Sequence, residues 1–182
     1  MFRFNLLKTL QAAGVLLRAH PLHVMSRLRL LKLLYIADRE SLGETGAPIT
    51  GDRAVAMQHG PVLSETYDLI KGQHIRAAEW ADHFESIGYD VRLIKDPGTG
   101  RLSRYDIEKL TDVTRRFEHR WDWAVAEETH RFEEWQRNDP GDSSRVIPVK
   151  HILKAVGRAE DIKAIREDAE AAAFIDRVLG DE

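Results

Sequence analysis

Histidines are the side chains most able to do chemistry in this sequence, which contains eight of them. His20 and His23 are close in sequence, but Pro21 lies between them and disfavours a helix there. The two rings are therefore not expected to share a helix face as metal ligands, and no His-Glu-x-x-His motif occurs. His130 is expected to be a half-buried ring whose nitrogens bond the backbone or Thr129. The histidines therefore predict no metal site.

The other reactive side chains lack the partners that catalysis needs. Ser64 and Ser143 have no nucleophile-elbow motif and no identifiable base. The pairs Glu127-Glu128 and Glu133-Glu134 are expected to be solvated charges on a helix surface. The sequence has no glycine-rich phosphate loop and no cysteine, which excludes a thiolate zinc site, a cysteine nucleophile and a disulfide. It therefore predicts no catalytic residue, no cofactor and no enzymatic activity.

Composition is that of an ordinary soluble globular protein. The 182 residues suit one domain, and 43% of them are hydrophobic and 31% charged. No apolar run approaches the roughly 20 residues that span a bilayer. The N-terminal residues continue into a charged amphipathic pattern that is unlike a signal peptide. We therefore expect a cytoplasmic protein without a membrane segment.

The charges are distributed unevenly around a net charge of −3. That net charge disfavours binding to nucleic acid by bulk electrostatics. Residues 1–47 contain seven Lys or Arg and three acidic residues, whereas residues 158–182 contain four and eight. The gradient fits either ordinary surface variation or a basic face near one end that meets an acidic partner.

Apolar periodicity and turn residues predict a mainly α fold, a single compact helical domain with one small β-hairpin. The hairpin is expected between His83 and Lys95, where apolar and polar residues alternate. Gly60-Pro61 is expected to end one helix and begin the next. The predicted helices span about 2–19, 22–42, 52–59, 61–72, 103–117, 122–130, 148–156 and 160–179.

The predicted helix at 22–42 is apolar on nearly all sides. Between residues 28 and 37 its only polar residues are Arg29 and Lys32, and such a helix belongs in the middle of a packed domain. Arg29, Lys32 and Arg39 fall on one stripe, which is expected to be the solvent-facing edge. The residues expected to be almost completely buried are Leu31, Leu34 and Tyr35.

Two motifs distinguish this sequence. The first is Leu33-Leu34-Tyr35 in the predicted central helix, and the second is Gly60-Pro61-Val62 followed by Tyr67. With Gly46-Ala47-Pro48-Ile49 between them, these motifs resemble the Panacea, or SocA-like, domain family. Members of this family are best known as antitoxins of bacterial and phage toxin–antitoxin pairs. The resemblance implies that Leu33, Leu34, Tyr35, Gly60, Pro61 and Tyr67 are structural.

A second block also fits the family: Leu102-Ser103 opens a helix, and Thr129-His130 is followed by Trp135. The sequence departs from the family pattern at Met57 and His59, where aromatic residues are usual. Both changes are expected to reshape the surface near Gly60-Pro61. We expect a single domain over 1–182, with the Panacea-like core at 20–157 and flanking helices at about 2–19 and 158–180.

The resemblance implies that the partner is a cognate protein toxin, which the chain neutralises by direct contact. The toxin is either simply occluded or delivered to an ATP-dependent protease, as is known for the SocA branch. The shared residues are expected to set the fold: Tyr35 places its hydroxyl near a backbone carbonyl, and Gly60 and Pro61 fix the angle between two helices. The resemblance therefore implies a role without an active site.

Two further classes of function remain open. Short helices joined by a tight turn can imitate a helix-turn-helix, so the alternative is a DNA-binding autoregulator without enzymatic activity. Against it stand the net charge and the scarcity of cations in residues 51–72, where only Arg53 and Lys71 are basic. A hydrolase of unknown type is the third class.

Two surfaces are candidates for contacting a partner protein, because interfaces favour aromatic, Met and Arg residues. The first comprises Arg29, Lys32, Arg39, Met57 and His59. The second comprises His130, Arg131 and Trp135 beside the loop at 138–145. The first is favoured, because a buried helix would hold it rigid before binding. Trp121, Trp123 and Trp135 are expected in the core, with a partner interface as the alternative.

Overall fold

The protein is mainly α-helical with two small antiparallel sheets, in a computed structural model that describes residues 1–179. The helices are α1 Leu6–Arg18, α2 Arg27–Thr45, α3 Ser64–Ile70, α4 Ala77–Ala81, α5 Arg104–Phe117, α6 Asp122–His130, α7 Glu133–Arg137, α8 Val149–Ala155 and α9 Ile162–Leu179. The strands are β1 Val24–Ser26, β2 Ala54–Met57, β3 Gly60–Leu63, β4 Phe84–Ile87, β5 Asp90–Leu93 and β6 Arg145–Val146. The mainly α prediction is confirmed, but the strands form more than one hairpin.

Helix α2 runs through the core, as its sequence predicts. Leu31, Leu34 and Tyr35 are almost completely buried. The helix begins later than predicted because residues 21–23 form a short 3-10 turn and residues 24–26 form β1. The Ser26 hydroxyl accepts a hydrogen bond from the Arg29 amide and caps the helix. At its other end Gly46 adopts a left-handed conformation that ends the helix beyond the predicted Gly43.

The predicted helix at 52–59 is wrong, and so is the helix–helix corner at Gly60-Pro61. Residues 54–63 form the β2–β3 hairpin, in which Ala56 pairs with Pro61 and Met57 with Gly60. Buried and half-buried residues alternate along β2, which is the period of a strand. The hairpin joins β6 in the order β3-β2-β6, so Pro61 lies in an edge strand, where a proline is tolerated.

The predicted hairpin between His83 and Lys95 is confirmed as β4 and β5. Strand β1 extends it into a second sheet of order β1-β5-β4. Strands β1 and β6 are three and two residues long, so they carry too little alternation to be recognised in a sequence. Strand β6 ends the segment that the sequence predicts as a loop at 138–145.

Helices α5, α6, α8 and α9 lie close to their predicted bounds, whereas the short helices α4 and α7 were not predicted. Ser103 and Asp106 form the predicted capping box of α5, in which each side chain accepts from the other residue's amide. Helix α9 packs on the domain through Ile165, which is buried against Gly46. Within residues 1–179, every helix is too short or too polar to cross a membrane.

Candidate functional site

Some residues of each predicted binding surface meet at the tip of the β2–β3 hairpin. The Trp135 indole N–H in α7 donates to the Met57 carbonyl at 3.1 Å. The His130 ring at the end of α6 stacks on Trp135, with 4.4 Å between centroids. On α6, the Trp123 ring packs nearly perpendicular to the His59 ring, with 5.0 Å between centroids. These five residues form one surface, here called the hairpin-tip surface.

Two tryptophans at this end of the molecule are exposed, which corrects the expectation that they lie in the core. Trp121 is 67% exposed and Trp123 is 47% exposed, whereas Trp135 is partly buried against the core. Trp121 precedes the first turn of α6, and its position before the helix keeps it off the packed face. Exposed tryptophans are enriched at protein interfaces, because a large ring gains much from burial.

Arg29 is buried, so it is not part of a solvent-facing stripe as the sequence predicted. Its guanidinium donates to the carbonyls of Phe117 and Arg120, at the end of α5, and lies 3.4 Å from the Asp122 carboxylate. A cation that binds free carbonyls at a helix end is favourable there. Arg29 therefore holds the connection between α5 and α6 from which Trp121 projects.

Lys32 is also completely buried, which removes the second member of the predicted stripe. Its ammonium donates to the Pro61 carbonyl at 2.7 Å, and no salt bridge of Lys32 occurs in the part of the chain that the structure describes. Burial lowers the pKa of Lys32 to about 7, because a charged amine loses its hydration there. The central helix and strand β3 are thus joined by a buried lysine.

Gly60, the first residue of β3, lies against the Lys32 side chain. Its φ of +91° is a conformation that favours glycine. A Cβ built on Gly60 would lie 3.1 Å from the Lys32 amine and would overlap the Thr129 hydroxyl. The glycine of the family motif therefore permits α2, β3 and α6 to approach one another, although it does not join two helices as predicted. Tyr67 of the same motif is half-buried on α3.

Tyr35, Arg39 and Glu134 form a buried polar cluster behind the hairpin-tip surface. The Tyr35 hydroxyl donates to the Glu134 carboxylate at 2.9 Å, and Arg39 Nε donates to the same oxygen at 2.6 Å. Burial and the carboxylate raise the pKa of Tyr35 well above its usual range. Two expectations are corrected: Tyr35 binds a side chain and not a backbone carbonyl, and Glu134 is completely buried.

Arg39, the third residue of the predicted stripe, is half-buried and directed towards this cluster. Its guanidinium also lies over the Phe132 ring, 4.1 Å from the centroid. The expected basic stripe is therefore absent from the surface, since its three members bind groups inside the domain. Met57 and His59 remain as the surface residues of the first predicted set, and whether they bind a partner stays a prediction.

The residues of the second predicted set differ in their exposure and in their neighbours. His130 is half-buried as expected, but its main neighbour is the Trp135 ring, since the Thr129 hydroxyl donates to the Ala126 carbonyl at 2.7 Å. Burial and the nearby Lys32 lower the pKa of His130. Arg131 is exposed, with one guanidinium nitrogen 3.5 Å from the Glu128 carboxylate.

Two carboxylates, of which Asp38 is buried and Asp52 is half-buried, hold the loop that precedes the hairpin. Asp38 in α2 accepts hydrogen bonds from the amides of Ile49 and Thr50, each at 3.0 Å, and burial raises its pKa to about 7. Asp52 accepts from the amides of Glu65 and Thr66, at 2.9 and 2.8 Å, and so caps α3. Both carboxylates are committed to the backbone, which makes them parts of the scaffold.

The other side chains that the sequence considered for chemistry have ordinary neighbours in the described residues. Among residues 1–179, no group of three or more His, Asp or Glu lies close enough together to hold a metal ion. The Ser64 hydroxyl accepts from Arg53, and the Ser143 hydroxyl donates to the Pro140 carbonyl. The arrangement at the hairpin tip, with exposed aromatic rings on a polar, buried scaffold, is better suited to protein contact.

Comparison with protein-family models gives a match. The family model described as "Antitoxin SocA-like, Panacea domain" matches residues 30–136. The match runs from the first turns of α2 to α7, so it includes the β2–β3 hairpin and the buried polar cluster of Tyr35, Arg39 and Glu134. Helices α1, α8 and α9 lie outside it. No curated protein and no solved structure matches the chain.

Proposed function

This chain belongs to the antitoxin SocA-like, Panacea domain family, and from that premise we propose that it binds and neutralises a cognate protein toxin in the cytoplasm. The family match is the main support for this proposal, because it covers more than half of the chain. The partner contact is direct, and the hairpin-tip surface with Trp121 is its centre.

Exposed aromatic rings on a rigid support favour this placement. Trp121 and Trp123 leave 67% and 47% of their surface to solvent. The buried Arg29 holds the chain that leads to them, and Lys32 holds the hairpin that carries His59. A surface that is ordered before binding loses less conformational entropy when a partner docks. The aromatic rings would then supply most of the binding free energy.

The proposal contains two mechanisms. In the first, the chain covers the toxin and occlusion alone neutralises it. In the second, the bound toxin is delivered to an ATP-dependent protease, and the chain acts as an adaptor. Expression of the toxin and this chain in protease-deficient and wild-type cells separates the two. Rescue without the protease supports occlusion, whereas rescue that requires the protease supports delivery.

The DNA-binding alternative loses its structural basis. It depended on two helices joined at Gly60-Pro61, and these residues lie in the β2–β3 hairpin. Arg29 and Lys32, which a basic surface would need, are buried. A gel-shift with the promoter of its own gene, at low and moderate salt, tests what remains of this alternative.

The decisive experiment for the proposed function is growth rescue by the chain against the product of the neighbouring gene. The variant Trp121→Ala/Trp123→Ala removes two exposed rings, and Tyr89→Ala, which removes an exposed ring from the β4–β5 hairpin, is the matched control. We expect the wild type and Tyr89→Ala to restore growth. We expect the double variant to lose at least tenfold in affinity, and rescue with it, at an unchanged melting temperature.

Two outcomes would count against the proposal in different ways. A neighbouring gene product that is not toxic, or toxicity that the wild-type chain leaves unchanged, contradicts the antitoxin function itself. Full rescue by the double variant leaves that function standing but moves the interface away from the tryptophans.

A further inference from the structure

Two basic side chains from different helices lie close together at the β2–β3 hairpin. The Lys32 amine lies 3.1 Å from the position that a Cβ on Gly60 would take, and the Thr129 hydroxyl lies beside the same position. His130 follows Thr129 at the end of α6, and the charge of Lys32 is near enough to act on its ring. The hairpin therefore covers a lysine of α2 and a histidine of α6 at one place.

Within residues 1–179, neither base has a carboxylate as its hydrogen-bond partner. Lys32 donates to the Pro61 carbonyl, and His130 Nε2 is buried without a hydrogen-bond partner. The titratable groups that act on His130 are Lys32 of α2, His59 of the hairpin and Glu127 of its own helix. Glu127 is exposed, so solvent screens its attraction. A proton on His130 would therefore be repelled by Lys32 without a buried acid to offset the charge.

The same two bases also hold the hairpin in place. On one strand, the Trp135 indole N–H donates to the Met57 carbonyl at 3.1 Å, and the uncharged Trp135 ring stacks on His130. On the other strand, Lys32 donates to the Pro61 carbonyl at 2.7 Å. A local opening of the hairpin would break both attachments, and water would then hydrate both bases.

We propose that the tip of the β2–β3 hairpin is a pH-sensitive element, which opens locally when acid protonates His130 beside a charged Lys32. Burial and Lys32 lower the pKa of His130 below 6.5, and burial lowers the pKa of Lys32 from 10.5 to about 7. Both bases therefore bind protons more readily in the open hairpin. For Lys32 this difference applies from pH 10.5 down to about 7, and for His130 it applies below 6.5. Acid therefore destabilises the closed hairpin.

This element lies within the surface that the proposed function assigns to the toxin contact. Under that function, opening of the hairpin tip would weaken toxin binding at acidic pH. Only this consequence rests on the proposed function, because the opening itself can be measured without a partner.

The test is NMR of the full chain at pH 7.5 and 5.5, with the exchange rates of the indole N–H groups corrected for the intrinsic effect of pH. The Trp135 indole reports on the hairpin tip, because it donates to the Met57 carbonyl. The Trp80 indole is buried against Phe84 in another part of the domain, so it reports on global unfolding.

Three variants identify the groups responsible. His130→Phe removes the titrating ring and keeps an aromatic side chain to stack on Trp135, and Lys32→Met removes the amine. The matched control is His119→Gln, which removes an exposed histidine between α5 and α6.

We expect the protection of the Trp135 indole to fall at least about fivefold from pH 7.5 to 5.5 in the wild type and in His119→Gln, beside an unchanged Trp80, since one pKa unit corresponds to a tenfold change. His130→Phe and Lys32→Met should each show a smaller fall. Equal protection of Trp135 at both pH values overturns the inference, and so does a fall of wild-type size in His130→Phe. A parallel loss at Trp80 also overturns it, because acid would then unfold the whole domain. All three results leave the proposed function intact.

Discussion

The hairpin-tip surface and the second half of α9 both expose aromatic side chains, but the protein supports them in opposite ways. Beneath the hairpin tip, Lys32 binds the β3 backbone and Glu134 binds Tyr35 and Arg39, all inside the domain. Phe174 and Val178 instead project from a single helix on the side opposite its packed face.

The contrast separates two ways of building an interface. Buried charges need partners of fixed geometry, so a surface built on them has one conformation and is sensitive to any change below it. A helix held by local hydrogen bonds and one apolar face tolerates changes on its outer side. Substitutions below the hairpin tip should therefore affect folding, and substitutions on the outer face of α9 should leave folding unchanged.

The largest loss of folding stability is expected from a substitution at Gly60, where α2, β3 and α6 meet. Gly60→Val adds a side chain at φ +91°, against the Lys32 amine and the Thr129 hydroxyl, and should cost more than about 4 kcal/mol or abolish soluble expression. Gly88→Val is the matched control: its φ of +62° adds similar backbone strain, but nothing lies within 4 Å of the new Cβ. Chemical denaturation measures both, and equal destabilisation would contradict the close approach at Gly60.

Removal of Glu134 is expected to cause the second-largest loss of folding stability. Glu134→Ala leaves Tyr35 and Arg39 without their buried acceptor and should cost about 3–5 kcal/mol. Its neighbour Glu133 is exposed and pairs with Arg137 on the helix surface, so Glu133→Ala should change stability by no more than about 0.5 kcal/mol. Urea unfolding of the two variants compares them directly, and similar midpoints would mean that the buried cluster does not stabilise the fold.

A purely apolar change in α2 tests the core without touching the charges. Leu34→Ala should cost about 2–5 kcal/mol, because Leu34 is 1% exposed and its removal leaves a cavity. The measurement is the melting temperature together with the free energy of unfolding. An unchanged melting temperature would contradict the central position of α2.

The smallest effect is a pH dependence that Lys32 should impose on stability. The folded pKa is about 7 against a usual value of 10.5, so from pH 7 to about 10.5 the unfolded chain binds more protons. Stability should therefore rise with pH in this window, by at most about 1.4 kcal/mol per pH unit. Lys32→Met should remove that rise in urea unfolding at pH 7.5 and 9.5. Parallel slopes for the two proteins would mean that Lys32 stays charged when buried.

The sequence predicted correctly those helices whose formation depends on residues close together in the chain. Helix α2 is recognisable because its apolar residues are nearly continuous, and α5 because its capping box lies within four residues. Residues 54–57 were predicted as helix because Gly60-Pro61 suits the end of one helix and the start of the next. Pairing with β3 and β6 made them a strand, and such pairing is not visible in a short window.

The positions of the charged residues could not be predicted for a related reason. Lys32 and Arg29 were placed on the surface because lysine and arginine are rarely buried without partners. Their partners are backbone carbonyls 29 and 88–91 residues away, and Glu134 lies 99 residues from Tyr35. The sequence predicted Met57, His59, His130 and Trp135 as candidate contact residues, but only the folded chain shows that they lie side by side at the hairpin tip.

The most direct test of the central claim is hydrogen–deuterium exchange of the chain, alone and bound to the product of the neighbouring gene. If the hairpin-tip surface and Trp121 form the interface, binding should slow amide exchange at residues 57–60 and 121–124. Exchange in the β4–β5 hairpin at 84–93 should stay unchanged and serves as the internal control. Slowed exchange confined to 84–93, or a chain whose exchange is the same with and without the neighbouring protein, would contradict this account.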